Sequence, residues 1–417
     1  MSTRSSTLGT ISGVGRRMGV IALAIDLVLA LVLLFHLLGP WVVAAAAVAV
    51  TAVELLRWHQ SNLGREPVQT LLVGSPTELQ TLREELAFYR ITRYALVGSL
   101  ARSGDTRDES ALGRLADLRS VVDRHDVKLV LMSSRASRMA IFDAMARDCP
   151  DLDLHVCDLS DFYEDTFRYT PIGEINSAWF FCILHPGFRV PSLRLKRMFD
   201  ITFALVVGAV FLPILTVLAL IIRRDGGGAF FSQVRIGERG RQFRMYKLRT
   251  MSVRPPEEVA WSSDGDLRVT AVGRCLRRFH LDELPQLWNI LRGEMSVVGP
   301  RPEQPMIVSR LECEFRFYHR RHMVRPGLAG WAQARCGYAG SDDGVAWKLS
   351  HDLYYLKRCS LSFDLYVLLA SIWQALGGKQ FQEPRRTPVV VRRPNEAEDR
   401  ATAVDDPSPG LGLGERR

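Results

Sequence analysis

The sequence predicts an α/β chain with membrane helices: an N-terminal helical hairpin, a parallel-sheet unit, and a mainly helical C-terminal unit with a re-entrant membrane helix. Two apolar runs lie within the first 58 residues, and a third stretch, 201–222, holds no charged side chain. Between them, short β-rich runs alternate with helical patterns, the mark of strands joined by crossover helices. At 417 residues the chain exceeds one ordinary domain. Its net charge of +9 beside long apolar runs suits a membrane surface or anionic phosphates. No nucleic-acid reading motif is present, so a nucleic-acid partner is not expected. The seven cysteines show no CxxC spacing, which argues against a disulfide framework or a zinc site and fits a reducing compartment.

Residues 1–17 are expected to be disordered, being rich in Ser, Gly and Thr. Residues 18–58 read as a transmembrane hairpin broken by Gly39-Pro40. Arg4, Arg16 and Arg17 precede it and Arg57 and Arg65 follow it, so both ends prefer the cytoplasm. The run after Arg17 is too long for a cleavable signal, and Asp26 within it reads as structural. Over 67–160, strands are expected at Val68–Gly74, Tyr94–Gly98, Val127–Ser133 and Leu152–Cys157, with helices at Thr77–Tyr89, Leu112–His125 and Arg138–Arg147. That alternation makes a Rossmann-like unit. Its first turn, Val73-Gly74-Ser75-Pro76-Thr77, has proline where a dinucleotide fingerprint needs its second glycine, so a structural or regulatory role is the default. Residues 161–192 read as a connector whose aromatics pack between domains.

A second unit is expected over 193–378, with the apolar segment 201–222 at its start. Arg194, Lys196 and Arg197 before that segment, and Arg223 and Arg224 after it, hold both ends on the cytoplasmic side. Pro213 at its middle removes a backbone hydrogen bond and bends the helix, so the segment is expected to enter, kink and return. An ordinary crossing with a tolerated proline is the alternative. Asp200 is expected to neutralise Lys196 and Arg197.

Next comes a basic block with Arg235, Arg239, Arg241, Arg244, Lys247 and Arg249, a membrane-facing hairpin or a diphosphate cradle. The run Leu281-Asp282-Glu283-Leu284-Pro285-Gln286-Leu287-Trp288-Asn289-Ile290 then sets two adjacent acids in an apolar frame, near Arg274, Arg277 and Arg278. Such carboxylates can serve as nucleophile and metal ligand for a phosphoryl group, or can simply occupy a first helical turn favoured by the dipole. Trp288 reads as core, and His280 as packing or surface. Pro300 and Pro302 stiffen the backbone around Arg301, and Arg325-Pro326-Gly327 begins a second stiff turn. Leu361–Leu376 is amphipathic and expected along the membrane, and 384–417 is expected to be a disordered tail.

Lys196-Arg197…Asp200, the Pro213 helix, Tyr246-Lys247-Leu248-Arg249-Thr250-Met251, Leu281–Leu287, Gly299-Pro300-Arg301-Pro302 and Pro326–Gln333 occur in one order. Over about 190–378 the chain resembles the bacterial sugar transferases that are monotopic phosphoglycosyl transferases. Together with the Rossmann-like unit it is similar to their long, exopolysaccharide-initiating members, which carry more N-terminal membrane helices. The resemblance implies that a UDP-sugar, glucose or galactose, gives its sugar-1-phosphate to undecaprenyl phosphate and releases UMP. Asp282 would attack and form a phosphosugar-aspartate, and Glu283 would help hold Mg²⁺. Lys247, Arg249, Arg277, Arg301 and Arg325 would bind substrate or phosphate. It also implies a bacterial inner membrane location with the catalytic unit on the cytoplasmic face. Expected partners are membrane lipid, downstream glycosyltransferases and a second copy through the α/β unit. Gly337-Tyr338…Trp347-Lys348-Leu349…Asp352-Leu353-Tyr354-Tyr355 carry the sugar reading and could equally serve packing. A nucleotide-sensing regulator and an assembly scaffold are the competing classes. The intact Asp282-Glu283 pair and Arg301 argue against the first.

Overall fold

A computed structural model of the chain describes residues 66–101, 111–133, 138–148, 154–175, 179–180, 193–224, 227–252, 269–336 and 342–375, together with Ala52. The expected segment 1–17, the hairpin 18–58 apart from Ala52, Gly337-Tyr338 and the tail 384–417 lie outside the described residues.

The α/β unit contains β1 (Val68–Val73), α1 (Pro76–Phe88), β2 (Tyr94–Ala101), β3 (Gly113–Arg114), α2 (Leu118–His125), β4 (Leu129–Met132), α3 (Arg138–Asp148), β5 (His155–Asp158) and α4 (Leu159–Phe167). Its strands form one parallel sheet in the order β3-β2-β1-β4-β5. Alternation sorts its core. Leu71, Val73, Val130 and Met132 face α2 and α3, through Leu118, Val121, Val122, Ile141 and Ala144. Leu72 and Leu131 face α1 and α4, through Leu79, Leu82, Phe162 and Phe167. Ser75 and Glu78 cap α1 reciprocally, with Ser75 N donating to Glu78 Oε2 at 2.9 Å and Glu78 N to Ser75 Oγ at 3.3 Å.

Two expectations change here. The helix expected from Leu112 begins only at Leu118, because Gly113-Arg114 pairs with β2 as an edge strand and the Asp117 carboxylate accepts from Arg114 N at 2.8 Å. The expected connector from 161 starts inside α4, whose Phe162, Tyr163 and Phe167 pack on the sheet. Beyond α4, Tyr169 reaches the second unit and meets Trp347 at 4.9 Å between ring centroids.

The second unit opens with α5 (Leu193–Arg223), a helix of 31 residues that contains an 18-residue apolar window of mean hydropathy 2.9, almost wholly unburied. Then follow the antiparallel hairpin β6 (Phe230–Ile236) and β7 (Gln242–Leu248), α6 (Ala271–Arg278), a 3-10 turn (Leu281–Glu283) and α7 (Gln286–Arg292). The parallel pair β8 (Ser296–Val298) and β9 (Gly327–Ala329) enclose α8 (Pro305–Glu314) and a second 3-10 turn (Tyr318–Met323). α9 (Trp331–Cys336), α10 (Asp342–Arg358) and α11 (Leu361–Ala375) complete the unit. Ile290, Met295, Val297, Val298, Trp331, Tyr355 and Val367 form its core, so the inner face of α11 is buried, while Leu361 and Leu365 remain exposed.

The first turns of α5 are fixed to this core by polar contacts. Lys196 pairs with Asp364 at 2.5 Å, and the Arg197 guanidinium donates to the carbonyls of Ile290 and Leu291 at 2.6 and 2.8 Å. Asp200 forms no direct ion pair with either among the described residues, although its charge does act on Arg197. It is buried, and its Oδ1 accepts from Ser296 Oγ at 3.0 Å and Val297 N at 2.9 Å. Asp200→Ala leaves both donors unsatisfied, and is expected to cost about 2 kcal/mol, read as a lower thermal midpoint in detergent.

Candidate active site

The acidic pair lies on the 3-10 turn between α6 and α7. His280 enters it with a left-handed backbone, φ 55°, which reverses the chain and turns both acids inward. Asp282 is 8% exposed and Glu283 is 6% exposed. Pro285 then starts α7 with its fixed φ, and Gly293 ends that helix at φ 80°.

The two carboxylates have opposite surroundings. Glu283 Oε1 accepts from Lys247 Nζ at 2.7 Å and from Arg301 Nη2 at 2.7 Å, and Oε2 takes only a 3.4 Å contact from Arg301 Nη1. Burial pushes the Glu283 pKa up, but Arg301 and Lys247 outweigh it and hold the carboxyl well below the usual glutamate range. Among the described residues, no hydrogen bond or ion pair reaches the Asp282 carboxylate. Burial, and then the neighbouring Glu283 charge, raise its pKa above the ordinary aspartate value, against the lowering effects of Lys247, Arg277 and His280. One acid is thus ion-locked, and the other is buried, unpartnered and unusually basic.

The fold explains which cations arrive. Phe243, Met245 and Lys247 alternate along one face of β7; the first two enter the core, and the third meets Glu283. Arg301 follows β8, whose partner β9 holds the adjoining backbone through Gly327 N to Pro300 O at 3.0 Å. Arg277 on α6 donates to Thr250 Oγ1 at 3.0 Å, and its charge acts on Asp282. Arg249 and Arg325 have other partners. Arg249 Nη2 donates to Ile222 O at 2.9 Å at the end of α5, and Arg325 pairs with Glu238 at 3.3 Å on the turn between β6 and β7.

Trp288 is 56% exposed, a correction to its expected place in the core. Gln286, Leu287, Asn289 and Ile290 take the buried face of α7, and the 100° step per residue turns Trp288 away. Asn289, which sequence reasoning left without a role, is fully buried. Its Nδ2 donates to Arg244 O at 2.7 Å and Glu294 Oε2 at 2.6 Å, and its Oδ1 accepts from Tyr246 N at 3.2 Å. It clamps the turn's helix onto the open edge of β7. The available signal was a polar residue inside an apolar helical stripe.

The donor set fits Mg²⁺, which binds through one or two carboxylates and keeps water and substrate phosphates as its other ligands. Glu283 Oε2, weakly held, and the unpartnered Asp282 are the oxygens open to it. No group of three or more His, Cys, Asp or Glu side chains able to hold a metal occurs among the described residues, so substrate oxygens would have to complete the shell.

The Bacterial sugar transferase family matches residues 191–378, the segment that carries every element of this site. A UDP-N-acetylgalactosamine-undecaprenyl-phosphate N-acetylgalactosaminephosphotransferase of Aeromonas hydrophila is 41% identical over 186 residues, 44% of each chain. The match thus spans less than half of that relative. A UDP-glucose:undecaprenyl-phosphate glucose-1-phosphate transferase of Caulobacter vibrioides is 40% identical over 197 residues, 45% of this chain and 73% of its own. A protein of the same description from Escherichia coli is 35% identical over 260 residues, 61% of this chain and 55% of its own, so that likeness extends beyond the family segment. With most of the Caulobacter relative's length matched by the segment that builds the acidic pair and its cations, this chain belongs to the bacterial sugar transferase family.

Proposed function

We propose that the protein transfers sugar-1-phosphate from a UDP-hexose, glucose or galactose, to undecaprenyl phosphate, releasing UMP and initiating a surface glycan such as an exopolysaccharide. The observation that carries this reading is the asymmetry of the two acids: a buried, unpartnered, basic Asp282 beside an ion-locked Glu283. An Asp282 oxygen attacks the β-phosphorus, and the bond from that phosphorus to the UMP oxygen breaks. A phosphosugar-aspartate remains, and UMP leaves with the bonding electron pair. The lipid phosphate oxygen then attacks the same phosphorus and regenerates the carboxylate, which gives ping-pong kinetics. Lys247, Arg277 and Arg301 contact the phosphates as charge develops. Arg249 Nη2 is engaged with Ile222 O and Arg325 Nε with Glu238, so these two stand behind the other three as phosphate contacts. Glu283 would help hold Mg²⁺, whose charge would neutralise the diphosphate.

Re-entry of α5 supports access to a lipid substrate. Ala204 packs with Phe243, Ile290 and Val297, while Ile222, at the other end, packs with Leu248 and Leu276 of the same unit. Between them Leu205, Val206, Leu212 and Leu220 are exposed and apolar, as contact with acyl chains requires. The catalytic unit then sits on the cytoplasmic face of the inner membrane, at headgroup level. In sealed vesicles of a cysteine-free background, Arg194→Cys and Arg224→Cys are expected to label from the cytoplasmic side alike. Labelling from opposite faces would mean an ordinary crossing.

The test of the activity is UMP release in nanodiscs from UDP-glucose, UDP-galactose and UDP-N-acetylgalactosamine, with undecaprenyl phosphate and Mg²⁺. Release with one donor, lost on adding EDTA, is the expected result. Folded protein that releases nothing from any donor would sink the proposal.

A further inference from the structure

The run Trp347-Lys348…Asp352 reaches the active site by an indirect route. Arg301 contacts Glu283 with its guanidinium, and three groups grip its main chain and neighbours. Arg321 Nη2 donates to Arg301 O at 2.9 Å. Arg235 Nη1 donates to Pro302 O at 3.2 Å, and Ile236 N donates to Glu303 O at 2.9 Å. Two side chains of α10, one helical turn apart, stand behind these grips. Asp352 accepts from Arg321 Nε at 3.0 Å and pairs with its Nη2 at 2.7 Å, both residues being buried. Lys348 is ion-paired with Glu303, which Arg235 also approaches at 3.5 Å.

We infer that Lys348 and Asp352 are positioning residues which act through Glu303 and Arg321 to hold Arg301 against Glu283, an inference that rests on the transfer reaction proposed above. A purely structural account is weaker. Buried ion pairs are poor stabilisers, and apolar side chains of similar volume fill such sites as well or better. What these pairs supply is direction: they hold the chain at the Arg301 carbonyl and again two residues on at Glu303, beside a guanidinium that must be aimed at the reacting diphosphate. α10 is itself anchored to the α/β unit. Thr170 N donates to Ser350 O at 3.2 Å, Ser350 Oγ donates to Thr170 O, and Trp347 packs on Tyr169. The α/β unit therefore serves as the foundation of the aim of Arg301.

The test is a double-mutant cycle on the full chain in nanodiscs, reading UMP release. Asp352→Asn and Lys348→Met are each expected to lower kcat about 10-fold or more with a smaller change in KM. In an Arg301→Ala background each is expected to cost less than about twofold further. Lys348→Arg should restore most of the lost rate. Equal losses in both backgrounds would overturn the inference, since a general structural role is additive. Amide exchange over 299–304 gives a reading independent of the reaction, expected to rise about tenfold in both variants. Unchanged exchange there in the folded Lys348→Met protein overturns the inference even if the reaction proves to be a different one. Wild-type protein that releases no UMP, with exchange raised as expected, sinks the proposed reaction and leaves the positioning contact supported.

Discussion

Asp282→Asn is expected to abolish UMP release, by about 10³-fold or more, and at the same time to raise the thermal midpoint. The two effects have one cause. Burial and the Glu283 charge disfavour the Asp282 anion, so its ionisation opposes folding at neutral pH, and an isosteric amide removes that penalty together with the proposed nucleophile. Glu283→Gln acts oppositely on stability. The Glu283 pKa is depressed in the folded state, so its contribution is fully present above the unfolded value near 4.5 and fades as pH falls toward the folded one. Removing its charge strands Lys247 and Arg301, partly buried, without their acceptor, at an expected cost of about 3 kcal/mol. A pH profile of kcat/KM separates the roles. Asp282 must be ionised to attack, so the acid limb should lie above the ordinary aspartate value of 3.8. In Glu283→Gln, with the repelling charge gone, any residual activity should show that limb moved to lower pH. An acid limb unmoved by this substitution would deny Asp282 the part of nucleophile.

Gly327→Ala is expected to unfold the catalytic unit or to cost about 3 kcal/mol or more. A Cβ there would lie 2.0 Å from Gly299 N and 2.6 Å from Gly299 O, both backbone atoms that cannot yield separately. Gly299→Ala meets Arg325 O at 2.4 Å and should behave alike. These two glycines let β8 and β9 approach closely enough for Gly327 N to hold Pro300 O, and so fix where Arg301 leaves the sheet. Gly240→Ala is the contrast. Its φ of +75° makes a side chain unfavourable, but nothing lies within 4 Å, so a loss of only about 1 kcal/mol is expected. Unfolding midpoints of the three variants in detergent check the ranking.

In the α/β unit β1, α1, β2, β4, α3 and β5 were legible because each carries its own period, whereas the edge strand β3 and the helix α4 were not. Ser75-Pro76 with Glu78 announces α1, and alternating Leu71, Leu72 and Val73 serve a sheet covered on both faces. The acidic pair, Lys247 and Arg301 were legible as chemistry, since charge kept within apolar surroundings requires partners. Which charges meet was not legible, because it depends on contacts far apart in sequence. Asp200 lies one helical turn from Lys196 and beside Arg197, yet binds Ser296 and Val297, and Lys196 reaches Asp364 instead. Trp288 is apolar and at helical spacing, but the turn at His280 and the clamp of Asn289 set the rotation of α7, and that rotation leaves it outside. The sequence by itself determined most elements of the α/β unit, the family and the candidate site residues, which local periodicity and motif order encode. Tertiary structure alone decided that Glu283 would be paired and Asp282 bare, because burial and charge pairing arise only when β7, β8 and the 3-10 turn are brought together.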